Sequence, residues 1–339
     1  MKDKLHIYNC ALFTGFFKNL EESGFCLKQI NERYGLKNHL FKKDTFIPTA
    51  TMHDVLQEVW VALGKRSFVA YYGRSLSIYD LIDFELLQDM VIDLETVLEI
   101  FVLKANEFKS NAKVEINITP QQLEITFNFP DNLCLGRRIA EQIWLIFLLD
   151  LIKEFRGDEW LPKALHVMSP SLESLRELEL IEEYPILYGQ SCYRLLLEPT
   201  YSSSSIENNI TSLKNNHAEN TIDTISSIEK ILQSFEPNHR PRLVELSSLF
   251  KTSARSIKRH LEIERTTFSK VLSTSILKDA LIMLCDNDTS IIEISEKLGY
   301  SDSSNFVRSF KRWTGLPPHT FKDTYFSLNH FSSRSLILD

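Results

Sequence analysis

The chain has 339 residues, 43% of them hydrophobic and 24% charged, with a formal net charge of −7. That length admits two or three domains, and that apolar content supports a sizeable core and excludes a globally disordered chain. No apolar run reaches the ~18 residues of a membrane span, and the N-terminal MKDKLHIYNCALF lacks the features of a signal peptide. Five scattered cysteines form no CxxC pair, so the expectation is a cytoplasmic protein with reduced thiols and no membrane partner.

In chain order, helical periodicity appears over 10–21, 27–38, 51–63 (after Pro48, with Thr51 as cap) and 94–107. The period then changes. VEINIT (114–119) and LEITFNF (123–129) alternate and flank TPQQ, which predicts a hairpin. The apolar stretch 136–156 reads as a buried helix despite Asp150. ALHVM (164–168) and CYRLLL (192–197) read as strands separated by a helix over 171–181. This mixture predicts an α+β N-terminal domain.

The segment 198–220, EPTYSSSSIENNITSLKNNHAEN, is rich in Ser, Asn and Thr and reads as a linker. Beyond it the pattern is all-helical: 222–235, a helix pair over 242–262, a long helix over 267–286 capped by Thr266, a second pair over 290–313, and a last helix near Pro317. Phe268, Val271, Leu272, Ile276, Ala280, Met283 and Leu284 form a stripe on the long helix, expected as a shared spine. The expected organisation is an α+β domain over 1–200, a linker over 201–220, an all-helical domain over 221–326 and a flexible tail over 327–339.

Charge follows the same division. Residues 1–235 hold 23 Lys/Arg against 33 Asp/Glu, and residues 236–326 hold 14 against 11. An acidic module fused to a mildly basic one is hidden by the whole-chain charge.

The two helix pairs repeat one pattern. In LVELSSLF (243–250), Leu243, Leu246, Ser247 and Phe250 fall at i, i+3, i+4 and i+7; in IIEISEKL (291–298), Ile291, Ile294, Ser295 and Leu298 do the same. A basic helix follows each, with Ile257 and Leu261 inward in the first, and Phe306, Phe310 and Trp313 inward in the second. A short helix, a tight turn and a second helix with a small residue at the crossing is a helix-turn-helix unit. Two such units suggest one protein reading two successive major-groove segments of double-stranded DNA.

On the first reading helix, 253–261, Ser253 is the expected cap, and Arg255, Lys258 and Arg259 share the outward face. On the second, Ser301 or Asp302 caps, and Ser304, Val307, Arg308 and Lys311 face outward with Ser303 and Asn305 beside them. Arg suits guanine or phosphate, Asn suits adenine, and Val meets a thymine methyl. Gly299 supplies the turn. Cations on one isolated helix are usually a solvated face, but here they recur at the same place in both copies.

Elsewhere the sequence is less specific. His53 and Glu58 lack metal-ligand spacing, and no HExxH, Walker loop, GxGxxG or GxSxG is present, so no metal, cofactor or catalytic site is expected. Tyr71, Tyr72 and Arg74 could line a pocket for an anionic effector, although Tyr-rich segments are more often ordinary packing.

The segment SIIEISEKLGYSDSSNFVRSFKRWTGLPPHTFK (290–322) resembles the signature of AraC/XylS-type transcription regulators, and LSSLFKTSARSIKRHLEIERTTF (246–268) resembles the first half of the same module. The resemblance implies two reading helices in adjacent major-groove segments: 253–261, with Arg255, Lys258 and Arg259, and 303–312, with Ser303, Ser304, Asn305, Val307 and Arg308. This sequence departs from the pattern at Lys251 and Arg265, where glycine is usual. The N-terminal half resembles the arabinose-binding-like domain of the ornithine- and arginine-responsive subgroup, through YPILYGQSCYRLLLEP (184–199). The implied function is an effector-responsive activator that is cytoplasmic and nucleoid-associated, homodimeric, and works with RNA polymerase. The alternative is a ligand-independent regulator whose N-terminal domain only dimerises.

Overall fold

A computed structural model describes residues 5–36, 42, 44–64, 93–119, 121–128, 134–172, 181, 183–198, 223–286 and 289–324. Tyr71, Tyr72 and Arg74, most of the helix expected over 171–181, the 201–220 linker and the 327–339 tail lie outside the described residues. The chain divides into two compact units, Met1–Asp223 with Leu249–Lys251, and Thr224–Ser248 with Thr252–Asp339.

The first unit is α+β. Its described elements are β1 (Ile7–Asn9), α1 (Ala11–Glu22), α2 (Lys28–Tyr34), β2 (Phe46–Pro48), α3 (Thr49–Leu63), α4 (Leu94–Phe108), β3 (Lys113–Thr119), β4 (Gln122–Asn128), α5 (Leu135–Arg156), β5 (Ala164–His166), β6 (Ile186–Leu187) and β7 (Tyr193–Leu197). β1 and β2 pair antiparallel, and the other strands form one sheet in the order β3-β4-β7-β5-β6. Among the described strands, only β5 and β6 pair in parallel.

Alternation explains the sheet. Leu123, Ile125 and Phe127 of β4 are buried, and their register partners Leu197, Leu195 and Tyr193 on β7 are buried with them. One face of the sheet is therefore committed to the core. Phe127 and Tyr193 stack with centroids 4.6 Å apart. The sheet's apolar face and α5 belong to one hydrophobic core, which also takes in the inner faces of α1, α3 and α4. Consistent with the long apolar run, α5 is buried almost all round.

Two polar residues in that helix are also buried. Arg137 Nε lies 2.6 Å from Glu141 Oε1, one turn away, and the Tyr193 hydroxyl donates to Glu141 Oε2 at 3.1 Å. Burial pushes the Glu141 carboxyl above its usual value, against the Arg137 guanidinium that draws it down. A buried ion pair survives only with its hydrogen bonds made, so these contacts link β7 to α5 specifically.

Three helix boundaries differ from expectation. α3 begins at Thr49, with extended Pro48 as its N-cap, and Thr51 is a buried interior residue rather than the cap. The cause is strand pairing: β2 runs straight into the helix, and the Thr49 N–H donates to the His6 carbonyl at 2.9 Å. α2 stops at Tyr34 because Gly35 turns left-handed, with φ of 63°. In the second unit the long helix is capped by Thr267, not Thr266, its side chain accepting from the Lys270 N–H at 3.3 Å. β1, β2 and β6 have two or three residues each, too few to show a period of two.

One backbone contact is invisible in the sequence. A Cβ on Gly136 would lie 1.9 Å from the His53 carbonyl oxygen, so only glycine lets α5 approach α3 this closely. The five cysteines are free thiols, and burial pushes that of Cys10 up to about 12.

Candidate nucleic-acid interface

The second unit contains α6 (Thr224–Ser234), a 3-10 turn (Pro237–His239), α7 (Leu243–Leu249), α8 (Ala254–Ile263), α9 (Phe268–Leu284), α10 (Ile291–Lys297) and α11 (Ser303–Thr314), with a last helical segment starting at residue 318. α7 with α8 and α10 with α11 are the two helix-turn-helix units, and α9 lies between them in sequence.

The two units are built alike. In α7 and α10 the small residue at the crossing is a buried serine, and each hydroxyl turns back to the carbonyl three residues earlier: Ser247 to Val244 and Ser295 to Ile292, both at 2.7 Å. Each turn closes on that serine's carbonyl, which accepts from the Thr252 N–H in one unit and the Tyr300 N–H in the other, both at 3.0 Å. Between them sits a left-handed residue, Lys251 (φ 51°) or Gly299 (φ 82°). Arg265, after α8, is also left-handed at φ 57°. The two positions where glycine is usual but absent therefore still adopt the backbone that favours glycine.

Caps fix where the second helices begin. Ser253 Oγ accepts from the Ser256 N–H at 3.0 Å, and Asp302 Oδ1 accepts from the Asn305 N–H at 2.8 Å. α10 carries a full capping box between Ser290 and Glu293. Its bonds from Ser290 hold the Glu293 carboxyl below its usual value.

Fully buried Ile257 and Leu261 pin α8, and fully buried Phe306 and Phe310 pin α11. Phe310 packs edge-on against Phe321, and Phe306 against Tyr300. Trp313, expected to face inward, is only half-buried. Along α9, Val271, Ala280 and Leu284 are buried while Phe268, Leu272, Ile276 and Met283 are half-buried. Ser275, absent from the expected stripe, is fully buried and keeps the helix slim where it packs.

With those faces buried, the opposite faces are free. Arg255, Lys258 and Arg259 are exposed on α8. On α11, Ser304, Arg308 and Lys311 are exposed, with Ser303, Asn305 and Val307 half-buried beside them. Two other cations of this unit are occupied. Arg240, 4% exposed at its side chain, pairs with Asp279 and donates Nε to the Leu232 carbonyl at 3.2 Å. Lys278 pairs with Glu229 at 3.0 Å. No ion pair of Arg255, Lys258, Arg259, Arg308 or Lys311 occurs among the described residues, so their charge is available to a polyanion.

Two features were missed in the sequence. Asn305 is not a free amide: its side chain donates to Asp302 and accepts from Arg308 Nη2 at 2.6 Å. Glu264, at the end of α8, caps α6, taking the Thr224 and Ile225 N–H groups on its two oxygens at 3.2 and 3.1 Å. The i,i+3 spacings of Asp302, Asn305 and Arg308 could have signalled the first, while the second spans 40 residues and left no local trace.

Comparison with known proteins agrees with this geometry. Residues 246–324 match the family model of a helix-turn-helix domain. The chain is similar to the ornithine utilization regulator of Pseudomonas aeruginosa, 37% identical over 87 residues, which are 26% of each chain. It is similar to the transcriptional activator AggR of Escherichia coli, 31% identical over 136 residues, covering 39% of this chain and 49% of that one. It also resembles the virulence regulon transcriptional activator VirF of Shigella flexneri, 26% identical over 193 residues, covering 54% and 66%. The chain thus spans from about a quarter to about two-thirds of these relatives' lengths. Residues 246–324 thus carry a helix-turn-helix domain, and the relatives compared are a regulator and two transcriptional activators by name.

Proposed function

We propose that this protein is a sequence-specific DNA-binding transcription regulator, acting as an activator. The observation that carries the reading is the double repeat of one construction: a buried serine crossing, a left-handed turn, and a second helix whose inner face is buried and whose outer face is cationic. In this reading α8 contacts DNA through Arg255, Lys258 and Arg259, and α11 through Ser303, Ser304, Asn305, Val307, Arg308 and Lys311. The two helices enter successive major-groove segments about 34 Å apart, one helical turn. Lys258 and Lys311 serve mainly phosphates, which supply affinity, while the arginines on both helices supply choice of sequence.

The first unit, corresponding to an expected domain over 1–200, senses a small-molecule effector and forms the homodimer; residues 201–220 link it to the reader over 221–326. Its separate hydrophobic core supports an independent role. An effector acts by favouring the conformation or dimer geometry that fits the operator. Activation then requires contact with RNA polymerase on DNA in the cytoplasm. No described helix is long and apolar enough to cross a membrane.

The test is binding of the full-length chain to duplex DNA across a salt series. The logarithm of the association constant should fall linearly with log salt, each neutralised phosphate adding about −0.9 to the slope. A salt-insensitive association would refute the reading. A thermal-shift screen with amino acids, polyamines, sugars and fatty acids tests sensing, because a ligand of the native state raises the melting temperature.

A further inference from the structure

Asp302, Asn305 and Arg308 follow one another at i, i+3 and i+6 on α11 and form a continuous chain of side-chain hydrogen bonds. Asp302 uses both carboxylate oxygens. Oδ1 accepts the Asn305 backbone N–H as the helix cap, and Oδ2 accepts from the Asn305 side-chain amide. The same amide nitrogen lies 3.5 Å from Ser301 Oγ. Asn305 Oδ1 in turn accepts from Arg308 Nη2 at 2.6 Å.

Counting donors and acceptors separates the roles. To read adenine, an asparagine gives an N–H to N7 and accepts from the N6 amino group. Here the Asn305 donors are directed to Asp302 and Ser301, and its acceptor holds Arg308. Arg308 has five N–H donors, of which this bond uses one, and a bidentate contact with guanine needs two. Held by Asn305, the guanidinium loses less rotamer freedom on meeting DNA than a free arginine would.

We propose that Asp302, Asn305 and Arg308 form one reading unit in which Arg308 alone contacts the base edge, a guanine, and Asn305 and Asp302 are positioning residues that aim it. This rests on the DNA-binding reading above and refines it, moving Asn305 from the contact set to a positioning role.

The test is selection of full-length chain on randomised duplex DNA, followed by affinity measurements on the enriched site and its single-base variants. Wild-type protein should enrich a guanine whose discrimination falls in the range of one bidentate pair, about 5- to 150-fold. Arg308→Ala should erase that preference. Asn305→Ala should keep the same guanine but lower discrimination by roughly 2- to 12-fold, the factor for one newly freed side chain. Asp302→Ser retains the single oxygen the cap needs and releases the amide, so it should blunt discrimination at the same base with the melting temperature unchanged. In an Arg308→Ala background, Asn305→Ala should change nothing further.

If Asn305→Ala instead removes an adenine preference at a neighbouring base, and its effect adds to that of Arg308→Ala, the coupled unit is wrong while DNA reading stands. If wild-type protein enriches no sequence, DNA reading itself fails and the unit fails with it.

Discussion

Glu264→Ala tests whether the reading helix α8 is tied to α6 as the structure implies. The carboxylate accepts two N–H groups from the first turn of α6, at 3.2 and 3.1 Å, and neither can bond within its own helix. Bonds to a charged acceptor carry about 1.5–3 kcal/mol each when both groups are buried. Glu264 is half-buried, so water replaces part of what is lost, and a helix-cap magnitude of about 1–2 kcal/mol is the better expectation. Glu264 also ends α8, where its negative charge opposes that helix's dipole, and relief of this returns a few tenths of a kcal/mol. The assay is hydrogen exchange of the full-length chain, followed over residues 228–234. A loss of 1–2 kcal/mol speeds exchange there by about 5- to 30-fold. Glu264→Gln keeps one acceptor and should fall between mutant and wild type. Exchange in α6 within twofold of wild type would refute the tie.

Other changes probe the remaining contacts. Gly136→Ala drives a methyl group toward the His53 backbone and should cost at least the ~1–3 kcal/mol typical of overpacking, seen as a lower melting temperature of the first unit; a neutral result would contradict the close approach of α5 to α3. Arg265→Gly removes a left-handed strain of about 1–2 kcal/mol, partly offset by glycine's looser unfolded chain at ~0.4–1 kcal/mol. The second unit should therefore melt slightly higher, and destabilisation would overturn the strain argument. Ser295→Leu overfills a fully buried crossing between α10 and its neighbours, costs about 1–3 kcal/mol and abolishes DNA binding. A stable, DNA-competent Ser295→Leu protein would contradict the packing.

The helix-turn-helix pairs were legible because short amphipathic helices write their buried face into the sequence at i, i+3, i+4 and i+7. Ile257, Leu261, Phe306 and Phe310 are inward for that reason, and Ser253 caps where a polar residue precedes the periodic run. The β3–β4 hairpin was legible through alternation. What escaped depends on partners distant in sequence. Thr51 looked like a cap, but pairing of β2 with β1 starts the helix at Thr49. Gly136 reads as an ordinary helix interior until His53 is packed against it. The pairing of Arg137 and Glu141 with Tyr193 in the core joins residues 52 positions apart, which no local pattern records. Thr266 and Thr267 are equally good caps locally, and the left-handed Arg265 shifts the helix start to the second. Asn305 was legible as a polar residue near the reading face, but its engagement with Asp302 and Arg308 needs side-chain directions that spacing alone does not give.

The most direct test of the central claim is footprinting of the full-length protein on its host's genomic DNA, beginning at the promoter next to its own gene. The account predicts protected sites in which two major-groove contacts lie one helical turn apart, weakened by Arg255→Ala at one contact and by Arg308→Ala at the other. Protection at a single groove segment, insensitive to one of these substitutions, would contradict a double reader.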